Sequence, residues 1–322
     1  MMSKINVGIV GYGNLGQGVE TSLSYNDDFN LVGVFTRRDP KSLNTKAYHV
    51  DDILDFKENI DVLILCGGSK NDIPETREFY STHFSTVDCY DNHKDLLNHY
   101  KILDSITKEN ENVSIIGTGW DPGVFSVQKL YSESFLPNGE SYTFYGPGLS
   151  QGHSDAVRQV NGVKYGAQYT LPNDHLVKEI EDGKEVNYTK EAAHIRDVYI
   201  VSDNTRTDED IKEEIFNMPD YFKGYETNVY FISEDEFKEN HQNLNHGGYV
   251  LRRGFTNNNQ ATYKIELNLD SNPEFTASVA VASARAAYRF LKDKNFGAKS
   301  LFDVPPSYLS RRTTEEMIQS LL

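Results

Sequence analysis

An apolar strand that runs directly into a glycine-rich turn constrains the fold of this chain more than any other feature. Residues 5–10 read Ile-Asn-Val-Gly-Ile-Val, and the next residues form a G-x-G-x-x-G motif with Gly11, Gly13 and Gly16. Glycines at these positions let backbone amides approach a pyrophosphate, and they aim a helix N-terminus at its negative charge. A helix can follow, and a second apolar run occupies 31–35. This context predicts a dinucleotide-binding unit.

The residues after the second apolar run select between the two nicotinamide cofactors. An NAD site usually carries Asp or Glu at this point, where the carboxylate accepts hydrogen bonds from the ribose 2′-hydroxyl. Here the chain reads Thr36-Arg37-Arg38, and adjacent guanidinium groups suit a 2′-phosphate that a carboxylate would repel. Two solvated surface arginines, or a ribose contact from Asp39, are the alternatives. We expect NADP as the cofactor.

The first 119 residues repeat one unit, in which an apolar run is followed by a polar turn and an amphipathic stretch. The predicted strands are 5–10, 31–35, 61–66, 86–90 and 112–117, and the predicted helices are 14–25, 73–83 and 94–109. Nearly continuous apolar strands are typical of a parallel sheet covered on both faces. The alternation predicts an α/β domain with a Rossmann-type, doubly wound parallel sheet.

The pattern changes after Trp120, where runs with alternating β-branched and aromatic residues follow one another. They lie at 141–145, 164–170, 194–202, 226–232, 247–254 and 261–269, with a polar helix at 207–217 and a turn at 257–260. These runs predict a second, α+β domain with a mixed or antiparallel sheet. An Ala-rich helix at 276–292 suits close packing. We assign 1–119 plus about 273–322 to the dinucleotide-binding domain and 120–272 to the second domain.

Charge and composition exclude several classes of partner. The 322 residues include 48 acidic residues and 32 Lys plus Arg, which gives a formal net charge of −16. We therefore expect no binding to nucleic acid or to acidic membranes, because both require a basic face. We find no membrane-spanning run and no signal-peptide pattern, so we expect a cytoplasmic protein. Cys66 and Cys89 lack metal-ligand spacing, and we expect them to be core residues and the protein to hold no metal.

Polar segments follow three predicted parallel strands, at the edge of the sheet where ligands bind. They are Cys66-Gly67-Gly68-Ser69, Asp91-Asn92-His93 and Thr118-Gly119-Trp120-Asp121-Pro122-Gly123. Two carboxylates, those of Asp91 and Asp121, therefore reach the crevice expected for the nicotinamide. Asp91-Asn92 can also cap the helix expected near Lys94, and Asp121-Pro122-Gly123 can form an ordinary turn. The convergence of both aspartates with Trp120, the one tryptophan of the chain, favours a ligand site.

Further polar candidates occur in the second predicted domain. They are Tyr145, Gln151 and Gly152 in a glycine-rich segment, and Thr170, Arg196, His246 and Asn272 at or near strand ends. Taken singly, each is typical of a surface or capping residue. Composition alone does not join them into one pocket.

Several segments spread along the chain are distinctive: VGIVGYGNLG, TRRD, VDCYDNH, TGWDPG, FYGPGLSQGHSDA, QYTLP, MPDYFKGYE, HGGYV and LDSNPEFTAS. With them the chain resembles the meso-diaminopimelate D-dehydrogenase family over essentially its whole length. The resemblance implies NADP-dependent, reversible oxidative deamination of the D-centre of meso-2,6-diaminopimelate, which yields L-2-amino-6-oxopimelate, ammonia and NADPH. It also implies a role in lysine and cell-wall precursor metabolism, and a homodimer with 120–272 as the substrate-binding and dimerisation domain.

The resemblance also assigns residues to the cofactor. The matching positions are Gly11, Tyr12, Gly13, Asn14, Leu15 and Gly16 for the pyrophosphate turn, Thr36, Arg37 and Arg38 for the 2′-phosphate, and Cys66, Gly67, Gly68, Ser69, Asp91 and Asn92 for the loops that pass the cofactor.

For the substrate, the resemblance divides the positions between the two ends of the molecule. Asp91 and Asp121 match the carboxylates that hold the ammonium group of the reacting D-centre, with Trp120 beside them. The positions that match the group binding the distal L-centre are Thr170, Arg196, His246 and Asn272, and Gln151 and Gly152 lie along the substrate chain. Tyr145 is a departure, because other members carry tryptophan there.

Two other functions remain open from the sequence. The first is a related NADP-dependent dehydrogenase that acts on a broader range of D-amino acids. The second is a non-catalytic NADP-sensing protein whose second domain binds a partner. Retention of both Asp91 and Asp121 argues against the second.

Overall fold

The computed structural model describes residues 4–241 and 243–322. The strands are β1 (Ile5–Val10), β2 (Phe29–Thr36), β3 (Ala47–His49), β4 (Val62–Leu65), β5 (Thr86–Asp88), β6 (Val113–Ile115), β7 (Gly139–Tyr145), β8 (Gly148–Leu149), β9 (Val163–Pro172), β10 (His194–Ser202), β11 (Glu226–Phe231), β12 (His246–Thr256), β13 (Asn259–Leu269) and β14 (Gly297–Lys299). The α-helices are α1 (Asn14–Ser24), α2 (Asp72–His83), α3 (Leu96–Glu109), α4 (Val124–Phe135), α5 (Gln151–Arg158), α6 (Asp174–Glu181), α7 (Lys190–Ala193), α8 (Asp208–Phe216), α9 (Glu234–Asn240), α10 (Asn272–Lys292), α11 (Pro306–Leu309) and α12 (Thr314–Leu321). Pro40–Ser42 and Val50–Asn59 are 3₁₀-helical.

The residues form two compact units. The first contains the residues up to Val127 together with Pro273–Leu322, and the second contains Gln128–Asn272. Each unit has its own sheet structure and its own hydrophobic clusters. They are described separately below.

Seven parallel strands form the sheet of the first unit, in the order β14-β6-β5-β4-β1-β2-β3. β1 pairs with β2 on one side and with β4 on the other, so the direction of winding reverses between β1 and β4. The predicted Rossmann-type, doubly wound sheet is therefore confirmed. The loops that follow β1 and β4 flank the crevice at this reversal, which is where such sheets bind ligands.

Short side chains allow the helices of the first unit to pack closely. The alanines of α10 are buried in the main core, among them Ala277, Ala280 and Ala284. A methyl group added at Gly18 of α1 would lie 3.0 Å from the Cβ of Ala277. The Ala-rich pattern of 276–292 thus reflects close contact between α10 and α1.

The strands near the candidate site are shorter than the sequence predicts. The run predicted as a strand at 86–90 leaves the sheet after Asp88, and the run at 112–117 leaves it after Ile115. The backbone N–H groups of Tyr90 and Gly117 donate to the Asp88 carboxylate instead of to a neighbouring strand. A local apolar pattern cannot reveal such a side-chain acceptor. The three-residue strands β3 and β14 were not predicted either, because they are too short to show a period.

The second unit contains a four-stranded mixed sheet, β11-β10-β9-β8, and a three-stranded antiparallel sheet, β13-β12-β7. The predicted mixed or antiparallel sheet is confirmed. The turn predicted at 257–260 is narrower than expected, since β12 ends at Thr256 and β13 begins at Asn259. On β9 and β10, Thr170 and Arg196 are directly opposite partners.

No helix of the described chain combines the length and the apolar character needed to cross a membrane.

A buried arginine joins three segments of the first unit. Arg285 of α10 donates through Nε and Nη2 to both carboxylate oxygens of Asp28, at 2.5 and 2.9 Å, and through Nη1 to the carbonyl of Leu309 at 2.7 Å. Burial alone would raise the pKa of Asp28, but the hydrogen bonds and charge of Arg285 outweigh it and hold that pKa below its ordinary value. The pair therefore stabilises the fold where Asp28 is ionised.

We predict that Arg285→Met lowers the free energy of unfolding by about 2–3 kcal/mol at neutral pH, because it leaves Asp28 without its partner. The folded pKa of Asp28 is depressed. The contribution is therefore fully present above the unfolded value of about 3.9 and disappears as the pH falls through the folded pKa. Urea unfolding of both proteins at several pH values measures this, and the difference between them should shrink in acid. Arg311→Met, which removes an exposed pair with Asp27, is the control and should change little. A constant difference down to strong acid would contradict the assignment.

Candidate active site

Glycine is needed for a different structural reason at each of the three motif positions after β1. Gly11 has a φ of +90°, a conformation that favours glycine. Gly16 is buried in α1, where an added Cβ would lie 2.3 Å from the carbonyl oxygen of Gly11. An added Cβ at Gly13 meets no atom within 4 Å, so the space in front of this residue is open. The turn thus has the packing and the free space that a pyrophosphate requires.

A cavity of about 720 Å³ opens beside this turn in the first unit. Eight residues predicted to bind the cofactor line it: Gly11, Tyr12, Gly13, Thr36, Arg37, Arg38, Cys66 and Gly67. The other predicted cofactor residues, Asn14, Leu15, Gly16, Gly68, Ser69, Asp91 and Asn92, are not among its lining residues. Several residues of its wall were not predicted from the sequence, among them Asp72, Ile73, Thr76 and Tyr80. These four residues belong to α2 and follow no sequence motif. The packing of α2 beside β4 brings them to the cavity.

Two guanidinium groups lie at the rim of this cavity. Arg37 is largely exposed, with a side-chain exposure of 77%, and its Nη2 lies 2.8 Å from Oδ1 of Asp72. Arg38 donates through Nη2 to the carbonyl of Tyr12, and its backbone N–H donates to Oγ1 of Thr36. The side chain of Asp39 accepts from the backbone N–H of Lys41 and caps the following 3₁₀ turn. Since Asp39 has this local role, the arginines are the better partners for the adenosine ribose region.

The cysteines after β4 and β5 have thiols with raised pKa values. Burial raises the pKa of the Cys66 thiol well above its ordinary value. Burial likewise raises the pKa of Cys89 to about 12, against a smaller opposing effect of the hydrogen bond with Thr118. Both thiols therefore stay protonated at neutral pH and act as packing groups.

The loop after β5 resolves one ambiguity of the sequence. The helix that follows begins at Leu96 with Asp95 at its N-cap, so neither Asp91 nor Asn92 is the helix cap. The backbone N–H of Asp91 donates to Oγ of Ser69 at 3.2 Å, which joins this loop to the loop after β4. The exposed carboxylate of Asp91 is thus held at the sheet edge without serving the helix.

The loop after β6 turns into α4. Its backbone forms a bridge between Trp120 and Gly123, and the Trp120 ring packs edge-on against Phe125 at 5.2 Å. Ser126 donates through Oγ to Oδ1 of Asp121 at 3.5 Å. The segment is a turn, as one alternative expected, and it also places Asp121 after the strand next to β5. The turn and a ligand role are compatible.

The second unit buries a cation. The Arg196 residue is 7% exposed; its Nη1 donates to Oγ1 of Thr170, and its guanidinium carbon lies 4.3 Å from the ring centroid of Tyr225. Within the described residues, no carboxylate forms an ion pair with Arg196, and its Nε has no hydrogen-bond partner. Burial lowers the pKa of this guanidinium, because the charged form is poorly solvated. A buried, unpaired guanidinium is a site prepared for an anion.

Three histidines lie close enough to this cation for its charge to contribute to lowering their pKa values. Burial, with a further effect of the Arg196 charge, lowers the pKa of His153 to about 4. Burial also lowers the pKa of His194 to about 4 and lowers that of His246. His246 was predicted as a site residue, whereas His153 and His194 were missed. The signals for those two were present, in the segment GPGLSQGHSDA and at the start of a predicted strand.

His194 fixes the segment that carries Tyr145. Its Nε2 accepts from the backbone N–H of Tyr145 at 2.9 Å, its Nδ1 donates to the carbonyl of Lys190 at 2.8 Å, and the Tyr145 ring stacks on the imidazole at 5.4 Å. Next to Tyr145, Gly146 has a φ of +99°, and an added Cβ would lie 1.9 Å from the carbonyl oxygen of Thr170. Tyr145 therefore lies beside the strand pair that carries Thr170 and Arg196.

The remaining predicted residues of this unit lie at element ends. Gln151 and Gly152 are exposed at the start of α5, and an added Cβ at Gly152 meets nothing within 4 Å. Asn272 donates its backbone N–H to the carbonyl of Leu244, two residues before His246. Across residues 4–241 and 243–322, no group of three His, Cys, Asp or Glu side chains is arranged to hold a metal ion.

Comparison with known proteins gives one consistent family. A family model described as the diaminopimelic acid dehydrogenase C-terminal domain matches residues 119–271. The meso-diaminopimelate D-dehydrogenase of Ureibacillus thermosphaericus is 44% identical over 326 residues, covering all of both chains. That of Corynebacterium glutamicum is 40% identical over 317 residues, covering 98% of this chain and 99% of the relative.

Solved structures agree with this comparison. The C. glutamicum DAP dehydrogenase in complex with DAP superposes with a TM-score of 0.93 at 40% identity, over the whole of both chains. An engineered D-amino acid dehydrogenase bound to NADP+ superposes with a TM-score of 0.87 at 38% identity, over 99% of this chain and 100% of that chain.

Two glycine variants separate folding from cofactor binding. Gly13→Ala should leave the thermal unfolding midpoint unchanged, since the added methyl meets no protein atom within 4 Å. It should weaken NADP binding about tenfold or more, because the methyl occupies the space that the pyrophosphate needs. Gly16→Ala should lower both the thermal unfolding midpoint and the affinity for NADP, because its methyl group collides with the carbonyl of Gly11. Titration calorimetry and thermal unfolding measure the two effects. Unchanged affinity in Gly13→Ala would mean that the pyrophosphate does not pass this turn.

Proposed function

The chain belongs to the family of the meso-diaminopimelate D-dehydrogenases, and we propose that it catalyses the reversible oxidative deamination of the D-centre of meso-2,6-diaminopimelate, with NADP as its cofactor. The products are L-2-amino-6-oxopimelate, ammonia and NADPH. The observation that carries this proposal is the buried Arg196, whose unpartnered Nε awaits an anion such as an amino-acid carboxylate.

The residues at the glycine turn fit NADP. Gly11 and Gly13 would face the pyrophosphate, and Arg37 and Arg38 would bind the 2′-phosphate with forked donors. Gly16 would serve the same turn by allowing α1 to pack closely against Gly11. The chemistry that NADP supplies when bound is acceptance of a hydride from the carbon that bears the D-amino group. The forked donors would favour NADP over NAD, since a 2′-hydroxyl offers them no charge to neutralise.

We assign Asp91 and Asp121 to the ammonium group of the reacting centre. Carboxylates accept hydrogen bonds from an ammonium group and fix its orientation. The ammonium group must lose a proton before its nitrogen lone pair can form the imine. Water then adds to the imine carbon, and ammonia leaves to give the oxo group. The two aspartates hold the nitrogen in place for the loss of the proton, and Trp120 forms an apolar wall beside them.

We assign the distal amino-acid end of the substrate to the second unit. Arg196, with Thr170 on Nη1 and Tyr225 beneath its face, binds the carboxylate. His246 and Asn272 complete the polar contacts there, while Tyr145, Gln151 and Gly152 contact the chain that joins the two ends. The enzyme distinguishes the D-centre from the L-centre because a separate set of protein donors and acceptors binds each end of the substrate.

We further propose a cytoplasmic homodimer, in which residues 1–119 with about 273–322 bind the dinucleotide and 120–272 bind substrate and form the dimer. The support is the family to which the chain belongs. A light-scattering mass of twice 36.6 kDa would agree with the dimer, and a mass of 36.6 kDa would contradict it.

The direct test is an absorbance assay for NADPH with purified protein, NADP and candidate substrates. We expect turnover with meso-diaminopimelate and none with its LL isomer, because only the meso compound has a D-centre. Comparable turnover with simple D-amino acids would instead identify a dehydrogenase of broader range. NADP binding without turnover on any of them would identify a non-catalytic sensor.

Arg196→Met should raise the KM for meso-diaminopimelate about 30-fold or more, because a buried cation that meets the carboxylate is lost. The NADP dissociation constant should not change. The thermal midpoint should not fall, since the guanidinium has no protein anion in the described chain. Arg206→Met is the matched control, because Arg206 pairs with Glu214 in the same unit and should leave the KM unaltered. An unchanged KM in Arg196→Met would remove Arg196 from the substrate site.

A further inference from the structure

One buried carboxylate connects the two loops that carry Asp91 and Asp121. Asp88, which is 1% exposed, accepts through Oδ1 from the backbone N–H groups of Tyr90 at 3.0 Å and Gly117 at 3.1 Å. Its backbone carbonyl accepts from the N–H and from Oγ1 of Thr118, both at 2.9 Å. Asp88 therefore fixes the first residues of both loops relative to each other.

These anchored residues are close in sequence to the proposed site. Asp91 follows Tyr90 directly, and Asp121 comes three residues after Thr118. A displacement of either anchor would thus move a carboxylate that we assign to the D-centre. The anchors use backbone donors, so the sequence of the loops themselves does not reveal them.

A chain of hydrogen bonds runs from Asp88 through a histidine to an arginine. Oδ2 of Asp88 lies 2.8 Å from Nε2 of His99, whose residue is fully buried, and Nδ1 of His99 lies 2.9 Å from Nη1 of Arg77. A guanidinium can only donate, so Nδ1 must be the acceptor. The proton of the neutral ring is then on Nε2, which donates to Asp88. The geometry selects one tautomer, because each ring nitrogen of His99 has one partner.

Two further contacts close the network into a ring. The Tyr90 hydroxyl donates to Oδ2 of Asp95 at 2.9 Å, and Nη1 of Arg77 lies 3.6 Å from the same oxygen. The Tyr90 ring also stacks on His99, with 4.4 Å between centroids. Tyr90 is thus held through its backbone, its ring and its hydroxyl.

A second buried polar cluster on the same strand provides a comparison. Ser81, Thr86 and Ser114 join their hydroxyl groups at 2.6–3.2 Å, at the amino end of β5. That cluster stabilises the same sheet but touches neither aspartate loop. Because both clusters are buried, variants in each can separate the effect of lost stability from the effect of displaced loops.

We propose that Asp88, His99 and Arg77 are positioning residues for the D-centre: they set the separation and orientation of the carboxylates of Asp91 and Asp121. The proposal rests on the assignment of these two aspartates under the proposed function. We assign no substrate contact to these three residues, which act through the backbone of the two loops. Small errors in such placement lower rates strongly, since a misplacement of about 1 Å can cost about 100-fold.

The test compares His99→Leu, His99→Gln and Thr86→Val with the native enzyme. Leucine removes both bonds of His99, whereas the glutamine amide offers one donor for Asp88 and one acceptor for Arg77. We expect His99→Leu to lower kcat/KM for meso-diaminopimelate about 10- to 100-fold, with the NADP dissociation constant unchanged. His99→Gln should recover most of the loss. Thr86→Val should lower the thermal midpoint but leave kcat/KM near the native value.

Asp88→Asn is the second variant, for use if His99→Leu does not fold. Its Oδ1 can still accept from Tyr90 and Gly117, but its Nδ2 faces the Nε2 proton of His99, so two donors meet. We expect the same selective loss of kcat/KM. The proposal is overturned if the folded variants keep native kcat/KM, or if Thr86→Val at an equal loss of thermal midpoint loses as much activity.

Asp91→Asn and Asp121→Asn in the same assay keep the two failures apart. If both are active at the native level, the assignment of the aspartates fails and the positioning role fails with it. If they lose activity while the His99 and Asp88 variants do not, only the positioning role is wrong.

Discussion

The parallel direction of all seven strands in the first sheet is the constraint on which the rest of that unit depends. Parallel neighbours cannot be joined by a tight hairpin, so each connection must cross a face of the sheet, usually as a helix. Every strand then ends at the same edge, and the loops after β1, β4, β5 and β6 all begin there. The glycine turn, the cysteine loop and the two aspartate loops meet at one edge for this reason. Covering both faces with helices also makes the strands apolar nearly throughout, which leaves the loop ends as the place for chemistry.

The second unit meets a different physical problem, which is the burial of a charge. Arg196 loses its hydration on β10, and in return it contacts the hydroxyl of Thr170 and the ring of Tyr225. Its histidine neighbours have lowered pKa values, so they stay neutral and add no further positive charge. Such a site is unfavourable for folding alone and becomes favourable when an anion enters. The proposed substrate brings a carboxylate. Its ion pair with Arg196 would offset the cost of burying the guanidinium, and this gain would appear as binding affinity.

Local patterns were most ambiguous where a side chain can serve either the backbone or a ligand. Asp91 could have capped a helix, yet α3 begins at Leu96, after Asp95. Asp39 could have met a ribose, yet it caps a 3₁₀ turn. Both aspartates follow a predicted strand. The helical turn after Asp39 begins at the next residue, so Asp39 caps it, whereas α3 begins five residues after Asp91. A shift of a few residues at a helix start is what sequence patterns determine least well, because capping, turn and ligand roles favour the same residue types.

The sequence by itself determined the fold class, the glycine turn and the paired arginines, because each depends on neighbours within about 20–30 residues of chain. The same is true of the two sheets of the second unit, whose strands show their alternation locally. Only the tertiary structure decided that β5 and β6 are shorter than predicted, with backbone N–H groups beyond their ends donating to the Asp88 carboxylate. The same holds for the contacts of His99 and Arg77 below that carboxylate and for the three histidines near Arg196. These features depend on burial and on hydrogen bonds between segments far apart in the chain. Residue order carries no local sign of such contacts, since histidine and aspartate also occur on solvated surfaces.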